Sequence, residues 1–293
     1  MTDFGMVLTA MVTPMKPDGS VDYKRAAELA KYLADNGSDG LVVHGTTGES
    51  PTLTHEEEYE MYRIVKKAVG GRVKIIAGTG SNSTAETLEA TSHAEKIGVD
   101  GVMIVVPYYN KPSQEGMYRH YRAVAGSTKL PIIIYNIQGR TGVNMTADTV
   151  ARLAKIKNIA GIKEASGILE QTAEIRQKTP KDFVIYSGDD DKTLEIMKRG
   201  GYGVISVASH IVGKEIKKMC EAFNSGNIAE AEKINSRLAP LFKVLFITTN
   251  PTPIKAALAM IGQPVGGLRL PLIEANASEK EQIQKVLKEL KLI

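Results

Sequence analysis

The chain has 293 residues, of which 43% are hydrophobic and 24% are charged, and its formal net charge at pH 7 is +4. This length fits two average domains or one large α/β barrel with an appendage. The positive charge is spread along the chain without a basic block, which argues against nucleic-acid binding, and no apolar run is long enough to span a bilayer.

Eight short runs rich in valine and isoleucine recur along the chain, and helix-patterned segments fill most of the gaps between them. The segment after the second run is typical, because Thr54 and Glu57 predict a capping box ahead of apolar residues at helical spacing. Eight β-then-α units predict a (β/α)8 TIM barrel, with a doubly wound open sheet as the weaker alternative. The runs are residues 7–12, 40–44, 73–77, 101–106, 131–135, 159–163, 183–187 and 203–207.

The strand signals stop after Gly226, and the remainder of the chain has helical patterns. We predict helices over 228–238, 252–261 and 279–290, with a loop at 262–271. The predicted domains are therefore a catalytic barrel at 1–226 and a C-terminal helical domain at 227–293. No stretch resembles a flexible linker, so we expect the two parts to pack together, and such appendages often build oligomer contacts.

The only cysteine is Cys220, which excludes an internal disulfide and fits a reducing compartment. It lies in a helical pattern, so we expect a buried, inert thiol. Residues 1–4 lack the basic and apolar regions of a signal peptide. These features predict a soluble, cytoplasmic protein.

Lys163 is the most informative residue of the sequence, because it ends the apolar sixth run on the same face as Ile159 and Gly161. A lysine in such surroundings is costly unless it is paired or held neutral, and the neutral amine is the form that attacks a carbonyl group. The alternative interpretation is that Lys163 is a salt-bridged lysine at a strand end. The neighbouring strand ends favour imine chemistry.

In a TIM barrel the active site lies at the carboxyl ends of the strands, and here these ends carry hydroxyl groups, phenols, one arginine and one lysine. Lys163 is the predicted nucleophile, and Tyr135 or a threonine would relay protons. The paired hydroxyl groups of Thr46 and Thr47, in a glycine-flanked turn, suit a small carboxylate. Arg140 offers a bidentate fork for a second carboxylate.

Two other patterns resemble ligand sites but are better interpreted as structural features. The glycines at 78–80 resemble a dinucleotide loop but lack the third glycine, so we do not predict a nucleotide site. The run Asp189, Asp190 and Asp191 invites a metal site, yet the histidines are scattered without ligand spacing. We expect an acidic cluster at a helix N-terminus and no metal.

Four motifs follow one another along the chain: Gly-Thr-Thr-Gly-Glu-Ser at 45–50, Pro-Tyr-Tyr-Asn at 107–110, Tyr-Asn at 135–136 with Gly-Arg-Thr-Gly at 139–142, and Gly-Ile-Lys-Glu at 161–164. In this order they resemble the 4-hydroxy-tetrahydrodipicolinate synthase (dihydrodipicolinate synthase) family, within the pyruvate-dependent class I aldolase superfamily. The resemblance covers nearly the whole chain, including Asn250 to Pro253 with Lys255 in the helical tail.

The resemblance implies a lyase that joins pyruvate to L-aspartate-4-semialdehyde through an imine on Lys163, with no added cofactor. It implies a proton relay of Tyr135, Thr46 and Tyr109, the last reaching in from a neighbouring subunit. The implied substrate contacts are Thr47 for the pyruvate carboxylate, Arg140 for the semialdehyde carboxylate, and the backbone at Gly188 and Ile205. We expect a homotetramer built as a dimer of dimers, with a dimer as the alternative.

Gln138 departs from the family pattern, which usually has proline at this point, and the lost φ constraint is expected to loosen the loop that carries Arg140. Two other functions remain open. N-acetylneuraminate lyase and 2-keto-3-deoxy sugar-acid aldolases share the lysine and tyrosine but are not expected to carry the Arg-Thr-Gly motif. A catalytically silent barrel that acts as a binding protein is the third.

Family members that lysine inhibits bind it in a dimer-interface cleft. Glu58 stands where strongly inhibited bacterial members typically carry histidine. Its charge could attract the ε-ammonium group of lysine, but repulsion of the carboxylate of lysine, or lost packing, is the favoured effect. We therefore predict weak or absent inhibition. The matching cleft positions are Ser50, Pro51, His55, Glu58, Asn82, Glu86 and Tyr108.

Overall fold

The eight runs rich in valine and isoleucine form eight parallel strands, which close into a barrel because β8 pairs with β1. The predicted TIM barrel is thus confirmed, and the open sheet is wrong. The computed structural model describes residues 3–293, so Met1 and Thr2 of the predicted leaderless N-terminus lie outside the described residues. The strands are β1 Val7–Ala10, β2 Gly40–Val43, β3 Lys74–Gly78, β4 Gly101–Val105, β5 Ile132–Asn136, β6 Ile159–Glu164, β7 Val184–Ser187 and β8 Gly203–Ser206.

The helices alternate with the strands and then continue as a C-terminal group. Side-chain caps start several of them, and the predicted capping box of Thr54 and Glu57 is present at the start of α2. The barrel helices are α1 Tyr23–Asp35, α2 His55–Val69, α3 Thr84–Ile97, α4 Gln114–Ser127, α5 Gln138–Thr141, α6 Ala147–Leu153, α7 Leu169–Lys178, α8 Thr193–Lys198 and α9 Ser209–Asn224. The C-terminal helices are α10 Ile228–Val244, α11 Thr252–Met260 and α12 Ala277–Glu289.

Helix α10 runs past its predicted end at residue 238, although Pro240 lies inside it. Proline removes one backbone hydrogen bond from a helix. The residues beyond Pro240 include Leu241, Phe242 and Val244, all buried, and their packing outweighs the proline. Helix α10 packs against α9 of the barrel and against α12. The domain boundary after residue 226 stays a prediction.

Two apolar clusters fill the barrel on either side of its strands. The outer cluster lies between strands and helices, and it also holds Cys220, whose pKa burial raises to about 12. The inner cluster is smaller and contains Ile133, Tyr135, Tyr186 and Ile205. The barrel is therefore a packed core that opens to solvent only at its ends. Among residues 3–293, no helix combines the length and apolarity that crossing a membrane requires.

Alternation along β6 presents Lys163 to the barrel interior. Ile162 belongs to the outer cluster, and Ala165 to the inner one, so Lys163 and Gly161 share the inward face with Ala165. A Cβ atom at Gly161 would lie 2.4 Å from the carbonyl oxygen of Val184, so only glycine fits there. This close contact between β6 and β7 fixes the position of β6 at Gly161, two residues before Lys163.

Candidate active site

Lys163 lies across the face of Tyr135, and its Nζ is 4.4 Å from the centroid of that ring. The two residues are register partners on β5 and β6, and each is only 5% exposed. The aromatic face attracts a cation, and it excludes bulk water from the amine. The structure thus brings together the predicted nucleophile and the predicted proton-relay tyrosine.

Gly188 lies close to Lys163, and Ile205 belongs to the same inner cluster as Tyr135. A Cβ atom at Gly188 would be 2.5 Å from Cβ of Ala165 and 3.2 Å from Cε of Lys163, so a side chain there would collide with Ala165 and crowd the lysine. The Gly188 N–H donates to the carbonyl of Glu164 at 2.8 Å, and this hydrogen bond joins the ends of β6 and β7. Ile205 is fully buried in the inner cluster with Tyr135.

The threonine turn follows β2 as a single 3-10 turn over Thr46–Gly48. Thr46 is half-buried and lines a cavity, whereas Thr47 is buried behind it. The Oγ1 of Thr47 accepts a hydrogen bond from Nδ2 of Asn250 at 2.9 Å. Because this acceptor role leaves its O–H free to donate, the hydroxyl of Thr47 suits a carboxylate ligand.

One continuous cavity of about 400 Å³ joins the catalytic face to the predicted regulatory cleft. Lys163, Thr47, Gly188 and Ile205 lie outside its lining, and Lys163 approaches it through the ring of Tyr135. Of the predicted residues, those that line it are Thr46, Tyr135 and Arg140 from the active site, and Ser50, Pro51, His55, Glu58, Glu86 and Tyr108 from the cleft.

Tyr109 and Asn82 also lie outside the lining of the cavity. Tyr109 is 88% exposed and has a left-handed backbone, with φ of 72°, directly after the half-exposed Tyr108. A left-handed tyrosine is strained and points to a constraint imposed by function or assembly. The carbonyl of Asn82 accepts from Nδ2 of Asn110 at 2.9 Å, so Asn82 supports the loop that carries Tyr109.

The cleft end of the cavity carries two carboxylates. Oε1 of Glu58 accepts from the hydroxyl of Ser50 at 2.8 Å, and its Oε2 lies 3.4 Å from Nδ1 of His55. Burial raises the pKa of Glu58, and both neighbours oppose that shift. Glu86 is exposed and accepts from the hydroxyl of Ser81 at 2.6 Å.

Arg140 lies in α5, a single helical turn after β5, and is exposed at the mouth of the cavity. Gln138 begins this turn, and its carbonyl accepts from the N–H of Gly142 at 2.9 Å. The hydroxyl oxygen of Thr141 lies 2.9 Å from the carbonyl oxygens of both Ile137 and Val143, and its single proton is donated to one of them or shared between them. These bonds shape the loop without the usual proline, and its looseness stays a prediction.

A buried polar network lies behind Lys163, and it was not predicted from the sequence. Glu164 is 2% exposed, and its carboxylate accepts from Asn136 at 3.2 Å, Gln171 at 3.1 Å and the N–H of Ser166 at 2.7 Å. Burial raises the pKa of Glu164, and these donors oppose the shift. The network ties β5 to β6 directly beside Lys163. The sequence signal for this network was that the polar residues Asn136 and Glu164 directly follow Tyr135 and Lys163 at the ends of β5 and β6.

Within the acidic run at 189–191, Asp190 makes hydrogen bonds that join neighbouring parts of the barrel. The carboxylate of Asp190 is buried, and it accepts from the N–H groups of Val207 and Ala208 at 3.0 and 2.9 Å. It therefore binds the start of α9, besides preceding α8. Throughout the described part of the chain, no group of three or more His, Cys, Asp or Glu residues is arranged to hold a metal ion.

Comparisons with known proteins agree with this geometry. A family model described as the dihydrodipicolinate synthetase family matches residues 3–290. The chain is 57% identical to 4-hydroxy-tetrahydrodipicolinate synthase of Moorella thermoacetica over 290 residues, which cover 99% of each chain. It resembles the crystal structure of DHDPS from Cyanidioschyzon merolae with lysine bound, with a TM-score of 0.98, 52% identity and 99% of each chain covered. It also resembles the chloride-inhibited enzyme of Acinetobacter baumannii complexed with pyruvate, with a TM-score of 0.97, 39% identity, and 99% and 100% covered.

Proposed function

The chain belongs to the dihydrodipicolinate synthetase family, and we propose that it condenses pyruvate with L-aspartate-4-semialdehyde to 4-hydroxy-tetrahydrodipicolinate. It is a lyase of the class I aldolase type, and its product feeds the synthesis of lysine and diaminopimelate. The observation that carries this proposal is the position of Lys163 over the ring of Tyr135, which lines the same cavity as Thr46 of the threonine turn.

The reaction begins when Nζ of Lys163 attacks the ketone carbon of pyruvate. The resulting carbinolamine loses water to give an imine, and loss of a methyl proton then gives an enamine. Tyr135, Thr46 and Tyr109 of the partner subunit relay these protons. The enamine carbon attacks the aldehyde of the second substrate. Its amine then displaces Lys163 from the imine carbon, which closes the ring and frees the enzyme.

The carboxylate of pyruvate binds at Thr47, whose hydroxyl is free to donate because Asn250 donates to its oxygen. The backbone at Gly188 and Ile205 forms the wall next to the lysine. The imine nitrogen supplies the electron sink, so the proposed reaction needs no added cofactor. The proposed setting is the cytoplasm, and the proposed assembly is a homotetramer built as a dimer of dimers.

Arg140→Ala tests both the reaction and the substrate. We expect kcat/KM for aspartate semialdehyde to fall about 10- to 100-fold, because a charge-assisted hydrogen bond contributes about 1.5–3 kcal/mol. Trapping of the pyruvate imine by borohydride should persist, because that carboxylate binds at Thr47. Steady-state assays with both substrates, and trapping with pyruvate alone, measure the two effects.

Arg140→Lys is the matched variant, because it keeps the charge and removes the planar fork. We expect an intermediate loss. If Arg140→Ala abolished trapping, the assigned roles would be wrong. Wild-type turnover with a sugar aldehyde in place of the semialdehyde would support the sugar-acid aldolases, and no turnover with either would support a silent binding protein.

The weak inhibition by lysine predicted from Glu58 is untested, and the geometry favours the reverse. Glu58 and Glu86 both line the cleft, and two carboxylates suit the two ammonium groups of lysine. The Cyanidioschyzon relative was solved with lysine bound. We therefore propose that this cleft binds lysine and that binding inhibits the enzyme.

Turnover measured against increasing L-lysine should be half-inhibited below about 1 mM. Glu58→Gln should raise that concentration about tenfold, because the loss of one charge-assisted contact costs about 1.4 kcal/mol. Norleucine, which lacks the ε-ammonium group, is the control ligand and should inhibit far less. Full activity at about 10 mM lysine would reinstate the prediction made from the sequence.

A further inference from the structure

A buried ion pair joins the C-terminal helices to the threonine turn. Nζ of Lys255, on α11, lies 2.5 Å from Oε1 of Glu49, and their side chains are 2% and 0% exposed. Glu49 directly follows the turn and has a left-handed backbone, with φ of 58°. Neither residue lines the substrate cavity. The pair thus acts on the site through the turn rather than on the substrate.

Further hydrogen bonds engage the same two charges. The backbone N–H of Arg269 donates to Oε2 of Glu49 at 3.1 Å, and Nζ of Lys255 donates to the carbonyl of Gly267 at 2.7 Å. Asn250, just before α11, reaches the turn through Thr47. The C-terminal region therefore holds the turn at both residue 47 and residue 49.

A buried ion pair is an expensive way to attach two elements. Desolvation opposes both charges, and well-packed apolar side chains of similar size often stabilise a protein as well or better. Burial lowers the pKa of Lys255, and the charge of Glu49 opposes that shift. What charges add over apolar packing is direction, because Glu49 must keep one orientation to reach both Lys255 and the N–H of Arg269.

We infer that Glu49 and Lys255 are positioning residues, which hold the threonine turn in the conformation that receives the substrate carboxylate. This inference rests on the proposed function. Thr47 is only two residues from Glu49, so a shift of the Glu49 side chain and its left-handed backbone moves the hydroxyl of Thr47. A misplacement of about 1 Å at a substrate-orienting group can cost about 100-fold.

The test compares two double variants that each remove one ion pair between the C-terminal region and the barrel. Glu49→Gln with Lys255→Met removes the buried pair without leaving a lone buried charge. Glu232→Gln with Lys198→Met is the matched control, because Nζ of Lys198 on α8 lies 3.0 Å from Oε1 of Glu232 on α10, and neither residue lines the cavity. The readouts are the pyruvate concentration that gives half-maximal borohydride trapping, the KM for the semialdehyde, and the thermal unfolding midpoint.

We expect the Glu49/Lys255 variant to need at least about tenfold more pyruvate for half-maximal trapping, with the KM for the semialdehyde within about twofold of wild type. The control variant should keep the wild-type pyruvate value, whatever its unfolding midpoint. An unchanged pyruvate value in the folded Glu49/Lys255 variant, or an equal rise in the control, would overturn the inference.

Glu49→Asp decides the matter if the double variant does not fold. It keeps the charge and shortens the side chain by one methylene group, so the pair can persist only if the turn moves. We expect the same rise in half-saturating pyruvate, and an unchanged value would refute the positioning role. A wild-type enzyme that traps no pyruvate would instead overturn the proposed function, and this inference with it.

Discussion

Lys163→Ala should lower kcat by at least about 1,000-fold, equivalent to about 4 kcal/mol of transition-state stabilisation, because no imine can form without the amine. Borohydride added with pyruvate should inactivate the wild-type enzyme and leave a reduced pyruvyl adduct on the peptide that carries Lys163. The variant should carry no adduct. Mass spectrometry of the digested protein, together with steady-state rates, measures both outcomes.

Lys74→Ala is the matched control, since Lys74 begins β3 at the opposite end of the barrel, where it is exposed and pairs with Asp100 at 2.9 Å. Its trapping and turnover should equal those of the wild type. We expect both variants to stay folded, because each change trims a side chain at one end of a strand. An adduct on a lysine other than Lys163 would contradict the mechanism.

The barrel could be predicted from the sequence because its physical cause is local. Buried parallel strands need continuous apolar runs, and eight of them separated by helical segments leave few alternatives. The strand ends then followed, which is why Thr46, Tyr135, Arg140 and Lys163 could be assigned to one face. The ends of elements were misjudged, as in α10, where buried residues beyond Pro240 prolong the helix. Ile159, predicted on the face of Lys163, instead lies in the outer cluster, because the register of β6 with β5 shifts after it.

The supporting contacts of the site could not be predicted, because they join residues that are remote in sequence. Asn250 and Thr47 are separated by 203 positions, and no local pattern specifies their hydrogen bond. The same holds for the ion pair of Glu49 with Lys255. A charged residue inside a helical pattern is ordinarily a solvated one, so the burial of Lys255 appears only when α11 packs against the turn.

The position of Tyr109 differs from both cases, because one chain alone does not explain it. Its side chain is 88% exposed in a left-handed backbone beside the cavity, and within its own chain it stays outside the lining. Both features have a reason if the ring enters the site of a second copy, which is the arrangement that the family resemblance implies.

Mixing Tyr109→Phe subunits with Lys163→Ala subunits should therefore restore activity that neither variant has alone. In a hybrid dimer one site combines an intact Lys163 with Tyr109 of the partner subunit, and the other site lacks both. If subunits pair at random, half of the dimers are hybrids with one working site of two, so we expect about a quarter of wild-type activity. Turnover measured after verified subunit exchange gives this fraction. The control mixes Tyr108→Phe subunits with Lys163→Ala subunits. Every subunit in that mixture keeps Tyr109, so mixing should add no activity. No gain over the separate variants would mean that each site uses its own Tyr109, and the exposed, left-handed conformation would then need another cause.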